Sequence, residues 1–122
     1  MKILIADGSD QIIRRLEEMI TAAKKPAAVY NSSSYGEAQL LFQQWKPQVV
    51  VLGITMPEHD CLKLLIEIKK TSRTSTVIVL SININPFFQE QCLLQGADFF
   101  LDKYYEYEKI PAIINTLTIP AT

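Results

Sequence analysis

The chain has 122 residues, room for one ordinary hydrophobic core and not comfortably for two. A hydrophobic share of 48% with 20% charged residues excludes a disordered chain. Twelve basic against 13 acidic residues, a formal net charge of -1, argue against a broad electrostatic grip on nucleic acid or an anionic membrane.

Cys61 and Cys92 lack the spacing of a zinc knuckle or a disulfide framework, and a single histidine, His59, excludes a multi-histidine metal site. No apolar run reaches the length of a membrane span, and the N-terminus does not read as a signal peptide. The expectation is one soluble, cytoplasmic domain over residues 1–122, with no nucleic-acid or membrane partner.

In chain order, short apolar runs alternate with amphipathic stretches. Ile3-Leu4-Ile5 opens the chain as a strand. Ile13, Leu16, Ile20 and Ala23 then fall at helical spacing. Ala27 to Tyr30 reads as a second strand and the polar cluster Asn31-Ser32-Ser33-Ser34 as a loop. Ser34 and Glu37 match a capping box before a second helical stripe of Ala38, Leu41, Phe42 and Trp45, which Pro47 closes. Val49 to Leu52 is a third strand, and Cys61, Leu65 and Ile68 mark a third helix, with Asp60 expected as its cap. Val77 to Leu80 is a fourth strand. Pro86 to Gln95 has weak periodicity and is taken as a helix from its place in the alternation, with Gly96 where it should stop. Phe99 to Leu101 is a fifth strand, and Ile110, Ile113, Ile114 and Leu117 form a last helix with Pro111 in its first turn.

Five strands alternating with five helices imply an α/β, doubly wound, flavodoxin-like parallel sheet in the order 2-1-3-4-5. The ligand crevice of such a sheet lies at the carboxyl ends of the first and third strands. That rule picks out Asp7, Gly8 and Gly53, with Ser81 and Lys103 next to them.

The chain resembles the receiver domains of two-component response regulators from Met1 to about Leu117. The likeness is carried by Ile3-Leu4-Ile5-Ala6-Asp7, Met56-Pro57 with Asp60, Val79-Leu80-Ser81, Gly96-Ala97-Asp98 and Leu101-Asp102-Lys103, in that order. The resemblance implies a pocket in which a carboxylate ending strand three attacks a phosphoryl donor. Two acidic residues after strand one hold Mg²⁺, and a hydroxyl and a lysine bind the new phosphate. Residue by residue, the acidic positions fall on Asp7 and Gly8, the phosphoacceptor on Gly53, the hydroxyl on Ser81 and the lysine on Lys103. The family's rotamer-switching aromatic falls on Phe100.

Glycine cannot form an acyl phosphate, and Asp7 is the only one of three expected carboxylates left. The expectation is a degenerate receiver, not an enzyme, with weak or absent Mg²⁺ binding and no other cofactor, and with Asp7 and Lys103 paired directly. Thr55, Asp60 and His59 are weaker as surrogate acceptors than as loop, cap and exposed residues. Cys61 and Cys92 read as small apolar residues on helices. Ser81 and Lys103 could equally be a strand-end hydroxyl and a stem covering the sheet end.

Phe87, Phe88, Tyr104, Tyr105 and Tyr107 crowd the last third of the chain. In the family that region (helix four, strand five and helix five) meets partners, so it is the expected face for a signalling protein or a second copy. The competing function is a flavodoxin-like small-ligand protein. Its phosphate-cradling loop is poorly served by Ala6-Asp7-Gly8-Ser9-Asp10, which holds one glycine and two repelling carboxylates.

Overall fold

The computed structural model describes residues 1–22, 28–53, 58–82 and 85–117. Its elements run β1 (Lys2–Ala6), α1 (Asp10–Thr21), β2 (Ala28–Ser32), α2 (Tyr35–Trp45), β3 (Val49–Gly53), α3 (Glu58–Thr71), β4 (Thr76–Ser81), α4 (Pro86–Leu94), β5 (Phe99–Asp102) and α5 (Ile110–Thr116). A 3₁₀ turn at Tyr107–Lys109 leads into α5. The strands are all parallel, in the order β2-β1-β3-β4-β5 expected from the sequence.

Strand periodicity divides the core into two clusters. Leu4, Ala6, Val50, Leu52, Val77 and Val79 face one side of the sheet, with Ala38 and Phe42 of α2, Leu64, Leu65 and Ile68 of α3, and Phe88 and Cys92 of α4. Ile3, Ile5, Val49, Val51, Ile78, Leu80 and Leu101 face the other, against Ile13, Leu16 and Ile20 of α1 and Ile110 and Ile114 of α5. Both faces are covered, which is why β3 is apolar up to Gly53 and buried at every position.

Helix ends follow local chemistry, with differences. Ser34 caps α2 by accepting the Glu37 N–H at 3.3 Å. The other arm of the expected box is absent, because the Ser34 N–H goes to Ser32 Oγ at 3.3 Å. Asn31 and Ser32, read as loop, belong to β2: they pair with Ile5 and Ala6 of β1, and backbone pairing overrides their polar composition. Asp60 is the third residue of α3 and not its cap, and His59 lies in the same first turn rather than in a loop. Gly96 ends α4 at φ 105°, where a Cβ would also come 3.0 Å from Lys69 Cγ. Leu117 lies beyond α5 in extended backbone. Ala23 and Ala27 of the expected elements fall outside the described residues.

Cys61 and Cys92 are buried in the first cluster, as expected for apolar thiols. Burial pushes the Cys61 thiol up to about 12, with Cys92 and Glu58 adding to it, and burial followed by Glu58 pushes Cys92 up to about 11. The fold therefore keeps both thiols neutral. The stability this contributes is intact below 9.0, where the unfolded thiols ionise, and is lost as pH rises through about 11 for Cys92 and about 12 for Cys61. Iodoacetamide at pH 8 is expected to alkylate neither cysteine in the native protein and both in urea. Native alkylation at the unfolded rate would show that the α3–α4 layer opens readily.

Candidate functional site

The carboxyl ends of β1, β3, β4 and β5 meet along one edge of the sheet. Ala6 stands opposite Leu52, Gly53 opposite Leu80, and Ser81 opposite Asp102. Counting by twos, Asp7 continues the series Ile3–Ile5, Gly53 continues Val49–Val51, and Lys103 continues Phe99–Leu101. The register thus brings together an acid from β1, a glycine from β3 and a lysine from β5. Ser81, the last residue of β4, lies between them in the sheet and is buried. Gly8 follows Asp7 on an exposed bend.

Lys103 Nζ donates to Asp7 Oδ1 at 2.9 Å and lies 2.8 Å from Oδ2, so the expected direct pair is present. Asp7 is 1% exposed and Lys103 2%. Oδ1 also accepts the Ser9 N–H at 2.8 Å, while Oδ2 meets the ammonium without an aligned hydrogen bond. In a site this dry, each charge depends on the other for compensation.

The turn after β5 holds the lysine. The Lys103 N–H donates to the Ser81 carbonyl at 2.9 Å. Asp102 Oδ1 accepts the N–H groups of Tyr104 and Tyr105, each at 2.9 Å, and Glu106 Oε1 accepts the Asp102 N–H at 3.0 Å. Hydrogen bonds from Lys109 and then from the Asp102 N–H hold the Glu106 carboxyl below its ordinary range. Sequence reasoning missed these supports. An aspartate preceding two turn residues was the available signal for Asp102, since aspartates close turns on the N–H groups that follow.

A side chain at Gly53 would require Asp7 to move. A Cβ there would lie 1.8 Å from Asp7 Oδ2, 2.5 Å from its Cγ and 2.9 Å from its Cβ. Mg²⁺ takes several oxygens and keeps water. Asp7 is engaged by an ammonium, and no group of three or more His, Cys, Asp or Glu among the described residues could hold a metal. Thr55 and Met56-Pro57 lie outside the described residues.

The expected aromatic face divides. Phe87 is 69% exposed, and Tyr104 and Tyr105 are also exposed. Tyr107 is half-buried, with the Arg15 guanidinium 5.7 Å from its ring centre. Phe88, assigned from sequence to the partner face, is instead core. It is 2% exposed and meets the half-buried Phe100 edge-on at 5.9 Å, because one turn of α4 points it at β5.

The family pattern described as "Response regulator receiver domain" matches residues 3–115. The chain belongs to that family. This receiver is 25% identical over 117 residues to the chemotaxis protein CheY of Thermotoga maritima, covering 96% of this chain and 97% of that one. It is 25% identical over 109 residues to the probable C4-dicarboxylate response regulator DctR of Bacillus subtilis, covering 89% of this chain but 48% of DctR.

Among solved structures, a CheY-like receiver domain protein from Methanospirillum hungatei superposes with a TM-score of 0.82 at 18% identity, over 93% of this chain and 90% of that one. The Mn(2+)-bound form of response regulator Rcp1 gives 0.80 at 19% identity, over 98% and 99%. At those identities the superpositions speak to the fold.

Proposed function

We propose that this receiver serves two-component or phosphorelay-type signalling without accepting a phosphoryl group on β3, and that it acts through protein contacts on the α4–β5–α5 face. On this reading it is cytoplasmic, not an enzyme, and binds Mg²⁺ weakly or not at all. Its partner is a signalling protein or a second copy. One observation carries the reading: β3 ends in Gly53, and the neighbouring Asp7 carboxylate is committed to Lys103. Phosphoryl transfer needs a nucleophilic oxygen and charge neutralisation at one point, and this crevice offers neither together. The exposed Phe87, Tyr104 and Tyr105 support the interaction face.

The test is backbone amide NMR with Mg²⁺ and either acetyl phosphate or beryllofluoride. The amides of Asp7, Gly53, Ser81 and Lys103 are expected not to move. A saturable shift confined to them would overturn the proposal.

A further inference from the structure

We infer that the free edge of β2 docks a second copy of this chain. The two β2 strands pair antiparallel across a twofold axis at Tyr30 and join two five-stranded sheets edge to edge. The contact is independent of the chemistry at the end of β3. It lies at the opposite edge of the sheet from β5, so the α4–β5–α5 face stays open to a signalling protein.

The backbone carries the argument. The Ala28 N–H donates to the Met1 carbonyl at 2.8 Å, and the Ser32 carbonyl accepts the Asp7 N–H at 2.9 Å. Ala28, Tyr30 and Ser32 therefore turn their peptide groups towards β1. By alternation Val29 and Asn31 turn theirs outward, and no group among the described residues meets them. Natural sheets blunt an open edge with charge, proline or a bulge. β2 reads Ala-Val-Tyr-Asn-Ser in unbroken register and has none of these. The other edge is protected. Lys103 N–H bonding to the Ser81 carbonyl sets the parity of β5, which turns Phe100 and Asp102 outward. There Asp102 brings a carboxylate, and its N–H is already taken by Glu106 Oε1 at 3.0 Å.

Symmetry and side chains name the occupant. With Tyr30 on the axis, Val29 stands opposite the partner's Asn31, and the two exchange both N–H···O bonds. The strand is thus its own complement, and without charge it does not repel its copy. Its flank is apolar. Tyr30 stacks on Trp45 of α2 with ring centres 5.0 Å apart. Leu41 precedes Trp45 by one turn, on the side of α2 opposite Gln39 and Gln43, whose amides bond to Glu67 of α3. Tyr30, Leu41 and Trp45 are each half-buried, which leaves apolar area beside β2 for the copy to cover. The charges that touch this edge have opposite signs: Glu17 accepts from the Asn31 amide, and the Lys2 ammonium lies 5.6 Å from the Trp45 ring centre.

Sedimentation of the wild-type chain over a dilution series is expected to show a monomer–dimer equilibrium. Asn31→Pro removes an N–H that the β1–β2 ladder does not use. It is expected to weaken dimerisation at least ~10-fold, because a backbone bond is lost on each side of the axis. Phe87→Ala, on the α4–β5–α5 face, is expected to leave the equilibrium unchanged. The register is read separately. Residues opposed without mutual hydrogen bonds in an antiparallel pair have Cα atoms ~4.5 Å apart, within disulfide reach. Tyr30→Cys is therefore expected to form covalent dimers under oxidised glutathione much faster than Leu40→Cys, which is exposed on α2. The native thiols are both buried and do not compete. A wild-type chain that stays monomeric at every concentration would overturn the inference. So would a dimer that survives Asn31→Pro or is dissolved by Phe87→Ala, or Tyr30→Cys cross-linking no faster than Leu40→Cys. Should Asn31→Pro fail to fold, the cross-linking comparison decides alone.

Discussion

Lys103→Met lowers the stability of the receiver by an expected ~3–5 kcal/mol, the cost of leaving one member of a buried ion pair without its partner. The argument turns on burial. Exposed pairs contribute ~0–1 kcal/mol, and the Lys69–Asp98 and Lys109–Glu106 pairs of this chain are partly or largely open to water. The Lys103 and Asp7 side chains are only 3% and 0% exposed, so removing the ammonium strands a carboxylate that water does not reach. Because a domain of this size is stable by ~5–15 kcal/mol, the loss could unfold a large fraction of the protein at room temperature. The informative comparison is therefore Lys103→Met/Asp7→Leu, which removes both charges. It is expected to be more stable than Lys103→Met alone, since desolvation of the pair offsets most of its attraction. Urea unfolding of the three proteins measures this. A single variant within ~1 kcal/mol of wild type would mean that the crevice is wet and that the pair behaves like a surface contact.

What could be read from the sequence follows the physics of each signal. The strands of a parallel sheet covered on both faces are short apolar runs, so Val49 to Leu52 and Val77 to Leu80 were plain, and alternation with helices implied a parallel sheet, for which the observed order is the common one at this length. Asn31 and Ser32 escaped because an edge strand keeps its backbone pairing whatever its side chains are. Lys46 closes α2 in the left-handed region, at φ 45°, with no glycine to announce it. In the site, the residues at the strand ends were legible because the ends of adjacent strands must converge, and opposite charges in a closing crevice must pair. The steric relation between Gly53 and Asp7 was not legible. It depends on register and rotamer to a fraction of an ångström, and a glycine in a sequence records only that a side chain is missing, not what fills its place.

Phe88 shows the same limit and supplies the second large effect. Adjacent phenylalanines in a helix point about 100° apart, so only one of Phe87 and Phe88 can face the sheet, and weak periodicity in α4 hid which. The structure buries Phe88 against Phe100 and leaves Phe87 in solvent. Phe88→Ala is therefore expected to cost ~3–5 kcal/mol in urea unfolding, from lost burial and the cavity left between α4 and β5. Phe87→Ala is expected to change stability by less than ~0.5 kcal/mol, as exposed positions generally do. Binding should order the two the other way. If α4–β5–α5 is the working face, Phe87 and Tyr105 (69% and 88% exposed) are its aromatic anchors. Truncating an anchor costs at least ~2 kcal/mol, a loss of more than tenfold in affinity. Pulldown and titration against a captured partner, using Phe87→Ala and Tyr105→Ala proteins whose unfolding curves match wild type, separate a lost contact from a lost fold. Full affinity in both variants would move the interface off this face. A large stability loss in Phe87→Ala would mean that this ring is packed as well, leaving α4 without an aromatic anchor to offer a partner.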